Sequence, residues 1–122
     1  MLQSSRRCSG FKLSKATGDC AGSVNGFYKQ MGEVVNGRAV YIKLDSEGDP
    51  RCCWYDPDGN WMVSGTANKD ANKGSGYAKT TATGLPHPAL PDEAWKVAVG
   101  GKFVDQPEVT VEALQSEADV VR

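Results

Sequence analysis

From Gly26 onward, apolar and polar positions alternate in short runs broken by turn residues, the pattern of consecutive β-hairpins. In GFYKQMGEVVNGRAVYIKL, Asn36-Gly37 sits between two such runs and supplies the two positive φ values that a type I′ turn needs. With that turn, Val35 opposes Arg38, Glu33 opposes Val40 and Met31 opposes Ile42. One face then carries Phe27, Met31, Val35, Val40, Ile42 and Leu44 and is expected to meet the core. The other carries Tyr28, Gln30, Val34, Ala39, Tyr41 and Lys43 and is expected to be solvated or to meet a partner.

A second hairpin is written in CCWYDPDGNWMVSG. Pro57 presets φ, Asp58 tolerates the next turn position and Gly59 takes a left-handed one, predicting a three-residue loop with a bulge. Asp56 then opposes Asn60, Tyr55 faces Trp61, Cys53 faces Val63, Trp54 lies by Met62 and Cys52 by Ser64. Asp56, Asp58 and Asn60 also match the start of a calcium loop. That loop would put Trp61 where its glycine belongs and Ala67 where its bidentate glutamate belongs, so the turn reading stands and no metal site is expected.

The acidic stretch DSEGDP, 45 to 50, reads as the connection between these hairpins. Residues 66 to 94 read mostly as loop with a short strand around Tyr77 to Thr81, and Asn68, Lys69, Asn72 and Lys73 would offer donors to a polar ligand. A third hairpin, AWKVAVGGKFV, turns at Gly100-Gly101, and EVTVEAL reads as a last strand; Val111, Leu114, Ala118 and Val121 also recur at helical spacing, as if a helix began there. The expectation is an all-β domain, an antiparallel meander of hairpins forming a small sandwich or partly closed barrel. It spans residues 23–113, between a basic N-terminal arm (1–22) and a C-terminal tail or start of a helix (114–122).

The chain has 122 residues, 39% of them hydrophobic, with a net charge of -1. This suits one globular domain and lacks the basic excess of a general nucleic-acid binder. No run approaches the roughly 18 apolar residues of a membrane-spanning helix. Charge is uneven: residues 1–18 hold four cations (Arg6, Arg7, Lys12, Lys15) and no anion. That arm is expected to be a solvated tail, a targeting remnant or a contact for an acidic partner. The single histidine, His87, between Pro86 and Pro88, excludes a multi-histidine metal site, and no residue set asks for a cofactor. Of the four cysteines, Cys8 and Cys20 could close a short disulfide loop in an oxidising compartment. Cys52 and Cys53 point to opposite faces of a strand, one into the core and one outward.

The motif order GFY, GEVVNGRAVYIK, CCWYDPDGNWMVSG and AWKVAVGGKFVDQPEVTV resembles a small β-module found in multidomain proteins of algae and other protists, over about residues 22 to 111. The resemblance implies a portable interaction module and brings no catalytic residues with it. WYDPDGNW also resembles the aromatic strands of the WWE module, which implies ADP-ribose binding as an alternative. The expected function is noncatalytic binding of a protein, peptide or carbohydrate through Tyr28, Tyr41 and Trp54, rigid aromatic groups suited to contact. Two-layer packing would instead cover such rings with the C-terminal hairpin, a reading that favours burial for Trp54 and exposure for Tyr41. Other readings are an accessory subunit anchored by the basic arm and the 66–94 loop, and, last, an enzyme with Cys52 or Cys53 as nucleophile and His87 as base.

Overall fold

The computed structural model describes residues 9–44, 50–90 and 92–114. Its strands are β1 (Gly10–Ser14), β2 (Gly26–Val35), β3 (Arg38–Lys43), β4 (Arg51–Tyr55), β5 (Trp61–Gly65), β6 (Ala78–Thr80), β7 (Trp95–Val99), β8 (Lys102–Asp105) and β9 (Thr110–Leu114). Short helices α1 (Ala21–Val24) and α2 (Thr66–Asp70) precede β2 and follow β5. All nine strands pair antiparallel in one sheet, ordered β8-β7-β6-β5-β4-β3-β2-β1-β9, which curls into a half-barrel. Strand β9 joins the far edge beside β1, although only Gln106 to Val109 separate it from β8. The five residue-to-residue steps from Asp105 to Thr110 span at most about 17 Å, so the two edges of the sheet curl toward each other.

The turns behave as their residues dictate. Asn36 and Gly37 have φ of 52° and 81°, and Gly100 and Gly101 have 60° and 85°, the signature of tight hairpins. At the middle hairpin every expected cross-strand pair, from Cys52 with Ser64 to Tyr55 with Trp61, is observed. The Asp56 carboxylate accepts from the N–H of Asp58 at 3.0 Å and of Asn60 at 2.9 Å, closing the loop as an Asx turn.

The first hairpin departs from its expected register. Val35 pairs with Arg38, but beyond an irregularity between Gln30 and Val34 the pairs are Gln30 with Tyr41 and Lys29 with Ile42. Two extra residues on β2 preserve which residues share a face. The inside and outside of those faces are nevertheless the reverse of expectation. Tyr28 and Tyr41 lie in the main concave core, where Phe11 stacks on Tyr28 at 4.7 Å and Tyr41 meets Trp61 edge-on at 6.0 Å. Phe27, Met31 and Leu44, expected inside, are exposed. The cause is Phe11 and Leu13: β1 belongs to the residues expected as a basic arm, yet its apolar pair points inward and seals the core from the side.

A smaller cluster forms on the convex face from Val40, Cys52, Trp54 and Met62, with Phe103 of the C-terminal hairpin packed against it. Helix α2 packs on β4 and β5 beside this cluster. Thus Cys52 and Cys53 are both buried, on opposite faces, where one had been expected to point outward. After β6, Leu85 and Ala89 pack into the main core, and the Trp61 indole donates to the Leu85 carbonyl at 3.0 Å. Cys8, the 45–49 connection and the 115–122 tail, with their expected disulfide, turn and helix start, lie outside the described residues.

Candidate functional site

The three aromatic residues expected to form a binding face do not form one. Tyr28, Tyr41 and Trp54 are 1%, 3% and 0% exposed, and Tyr28 lies on the opposite face of the sheet from Trp54. The Tyr28 hydroxyl donates to the Val24 carbonyl at 2.6 Å, and the Trp54 indole donates to Ser64 Oγ at 2.9 Å. Those bonds satisfy the polar ends of rings whose bodies fill the two cores. Placement of Tyr28 and Tyr41 on an outer surface is therefore corrected, while burial of Trp54 agrees with the two-layer reading.

The donors expected along 66–73 are largely used within the fold. Lys69 is 5% exposed and its ammonium meets Glu33 and Asp70, each at 2.7 Å. Asn72 accepts from the Asn36 amide at 2.8 Å, and the Asn68 amide donates to the Ser75 carbonyl at 3.0 Å. Lys73 stays exposed.

The environment of Cys52 opposes thiolate formation. Burial pushes the Cys52 thiol up to about 11, against a smaller opposing pull from Lys69, the reverse of what activates a nucleophile. His87 Nδ1 accepts from the Ala89 N–H at 3.2 Å, and burial lowers its pKa. Among the described residues no group of three or more histidine, cysteine, aspartate or glutamate side chains could hold a metal ion. Nor is any helix among them long and apolar enough to cross a membrane.

What the fold does expose is the convex face of β1 to β3. Phe27 and Leu44 are adjacent across β2 and β3, where the Leu44 N–H donates to the Phe27 carbonyl at 2.8 Å; both are 42% exposed. Met31, further along β2, is 57% exposed, and half-buried Ile42 links this surface to the Val40–Trp54 cluster. Lys12 and Lys29 share the face, since Lys12 pairs with Phe27 and Lys29 with Ile42. The Lys12 ammonium sits 5.2 Å from the Phe27 ring centre. Although Lys12 is also opposite Glu112 on β9, neither lysine forms an ion pair among the described residues. The signal for this surface is present in the alternating apolar residues of β2 and β3, a pattern that by itself reads as a core face.

Comparison with protein-family models, with curated proteins and with solved structures finds no match to this chain.

Proposed function

We propose that this domain is a noncatalytic protein-interaction module whose contact surface is the convex face of β1 to β3. The observation that carries the reading is that Phe27 and Leu44, joined by a backbone hydrogen bond, are both exposed, with Lys12 and Lys29 on the same face. Apolar side chains gathered on one surface and rimmed by charge are a common form of docking site. The two ammonium groups select the partner chemistry: an apolar anchor accompanied by aspartate or glutamate. The resemblance of the hairpin motifs to a portable β-module supports the same reading.

The test is selection of displayed peptides on the domain, followed by amide chemical-shift mapping with the enriched sequences and, separately, with ADP-ribose and oligosaccharides. Enriched peptides should combine an aromatic or aliphatic residue with acidic ones and shift Phe27, Lys29, Ile42 and Leu44. Replacing Leu44→Ser or Lys29→Glu should weaken them about tenfold, equivalent to about 1.4 kcal/mol. Absence of enrichment, shifts that map elsewhere, or binding of ADP-ribose or a sugar away from this face would overturn the reading.

A further inference from the structure

Among the described residues, three other than glycine have a positive φ: Asn36, Asn72 and Lys15, the last at 71°. Asparagine tolerates that conformation, whereas a lysine there carries a steric cost. The neighbouring peptides show what holds it. The Asn25 carboxamide accepts from the Ala16 N–H and donates to the Ala16 carbonyl, both at 3.0 Å. The Gln106 carboxamide does the same to Thr17, at 2.9 and 3.0 Å. Two successive residues, Ala16 and Thr17, are therefore clamped by side chains from two separate connections, α1 to β2 and β8 to β9, and Lys15 is fixed where they leave it.

Those clamps border a solvent-open cleft of about 520 Å³, lined by Lys15, Thr17, Gln106 and Glu108 at the seam between the two sheet edges. Its volume falls in the range of small-molecule sites, roughly 300 to 1,000 Å³. Glu108 stands on the opposite wall. It follows Pro107 in a turn closed by the Val109 N–H to the Gln106 carbonyl at 3.1 Å. Although both line the cleft, Lys15 and Glu108 form no ion pair with each other or with any other described residue. Since the Gln106 amide is spent on Thr17, recognition in this cleft falls to the two charges and the Thr17 hydroxyl.

We propose that the seam cleft binds a small zwitterion, with Lys15 receiving its carboxylate and Glu108 its ammonium group. An isolated anion would meet Glu108, and an isolated cation would meet Lys15. A molecule bearing both charges satisfies the two at once. The pinned backbone fixes where the two residues start, and the exposed side chains themselves order on binding. This site is independent of the convex face.

The experiment is amide chemical-shift titration of the full chain with glycine, β-alanine and γ-aminobutyrate, which differ in charge separation. Acetate and methylammonium at matched ionic strength serve as half-ligands. At least one zwitterion should give saturable shifts at Lys15, Thr17, Gln106 and Glu108, with a dissociation constant at least about tenfold below both half-ligands. Lys15→Gln and Glu108→Gln should each remove most of that advantage. Shifts that fail to saturate, that the half-ligands reproduce, or that map away from the seam would overturn the proposal. The half-ligand comparison needs only the unaltered protein, so it decides the matter even if a variant fails to fold.

Discussion

The carboxamide of Gln106 grips the peptide of Thr17 in both directions, accepting from its N–H at 2.9 Å and donating to its carbonyl at 3.0 Å. This side chain does for the seam what a neighbouring strand does within the sheet. Gln106→Ala should cost about 1 kcal/mol, because the bonds are exposed and water replaces them in part. Gln106→Glu should be no better at neutral pH, since a carboxylate keeps the acceptor but faces the Thr17 carbonyl with a second acceptor. Urea midpoints measure the cost, and faster amide exchange at Thr17 in both variants would locate it.

Trp54, Trp61 and Trp95 are equally buried, yet their replacement by phenylalanine should not cost the same. The Trp54 and Trp61 indoles donate to Ser64 Oγ and the Leu85 carbonyl, whereas Trp95 Nε1 is buried with no hydrogen-bond partner among the described residues. Trp95→Phe removes a polar group that was already unsatisfied. It should therefore be milder than Trp54→Phe or Trp61→Phe by about 1 to 2 kcal/mol. Equal losses for all three in urea unfolding would show that ring volume, not the N–H, dominates.

The hairpins β2–β3, β4–β5 and β7–β8 and the complete register of β4 with β5 were legible because turn chemistry at Asn36-Gly37, Pro57-Asp58-Gly59 and Gly100-Gly101 is local. The choice of inner face was not. Both faces of β2 and β3 carry large apolar groups, and the contacts that decide, Phe11 on Tyr28 and Tyr41 on Trp61, join strands distant in sequence. Strand β1 left a signal in Phe11 and Leu13 around Lys12, masked by the cations nearby. Helix α2 left almost none: TANKD has no apolar period, its N-cap Gly65 makes no side-chain bond, and its Lys69 is held by Glu33 from 36 residues away. The seam was invisible for the same reason, since Asn25 and Gln106 act on peptides remote from their own turns.

Gly76 and Gly10 should resist substitution for packing reasons. A Cβ on Gly76 would lie 2.3 Å from the Val63 carbonyl oxygen and 2.7 Å from Ser64 Cβ; one on Gly10 would lie 2.5 Å from the Tyr28 carbonyl oxygen. Backbone must move in either case, so each alanine variant should lose about 3 kcal/mol. Gly32 is the contrast: its φ is 93° but no atom crowds it, and Gly32→Ala should cost only about 1 kcal/mol through conformation. Thermal midpoints of the three variants test that order.

His87 gives the fold a pH dependence with a definite sign. Burial holds its pKa below the ordinary value of 6.5, so as pH falls through 6.5 the unfolded chain takes up a proton before the folded one. Stability should decline across that window and level off once pH passes below the folded pKa. His87→Asn keeps an acceptor for the Ala89 N–H and cannot titrate, so the decline above about pH 5, where most carboxylates are still ionised, should vanish. Urea midpoints from pH 7.5 to 5 that fall equally in both proteins would assign the slope to other groups.

Lys69 ties α2 to the irregular stretch of β2, and its environment predicts that the two acids matter more together than apart. Burial, the largest single influence, lowers its pKa, but hydrogen bonds and charge from Asp70 and Glu33 outweigh it and leave the pKa raised. The stabilisation is therefore complete below the ordinary value of 10.5 and is lost as pH rises through the raised one. Either Glu33→Gln or Asp70→Asn alone leaves one carboxylate for the ammonium and should cost under about 1 kcal/mol. Both together leave a buried cation without an anion and should cost more than the sum. Lys69→Met keeps the stem and discards the charge, so it should be milder than the double variant. Cys52, buried in the convex cluster with its thiol near 11, reports the same event locally. At pH 8 its alkylation, followed by mass mapping, should be slow in the unaltered protein and in Lys69→Met and faster in the double variant. A double variant with additive cost and unchanged Cys52 reactivity would show that packing, rather than the ion pairs, holds α2 in place.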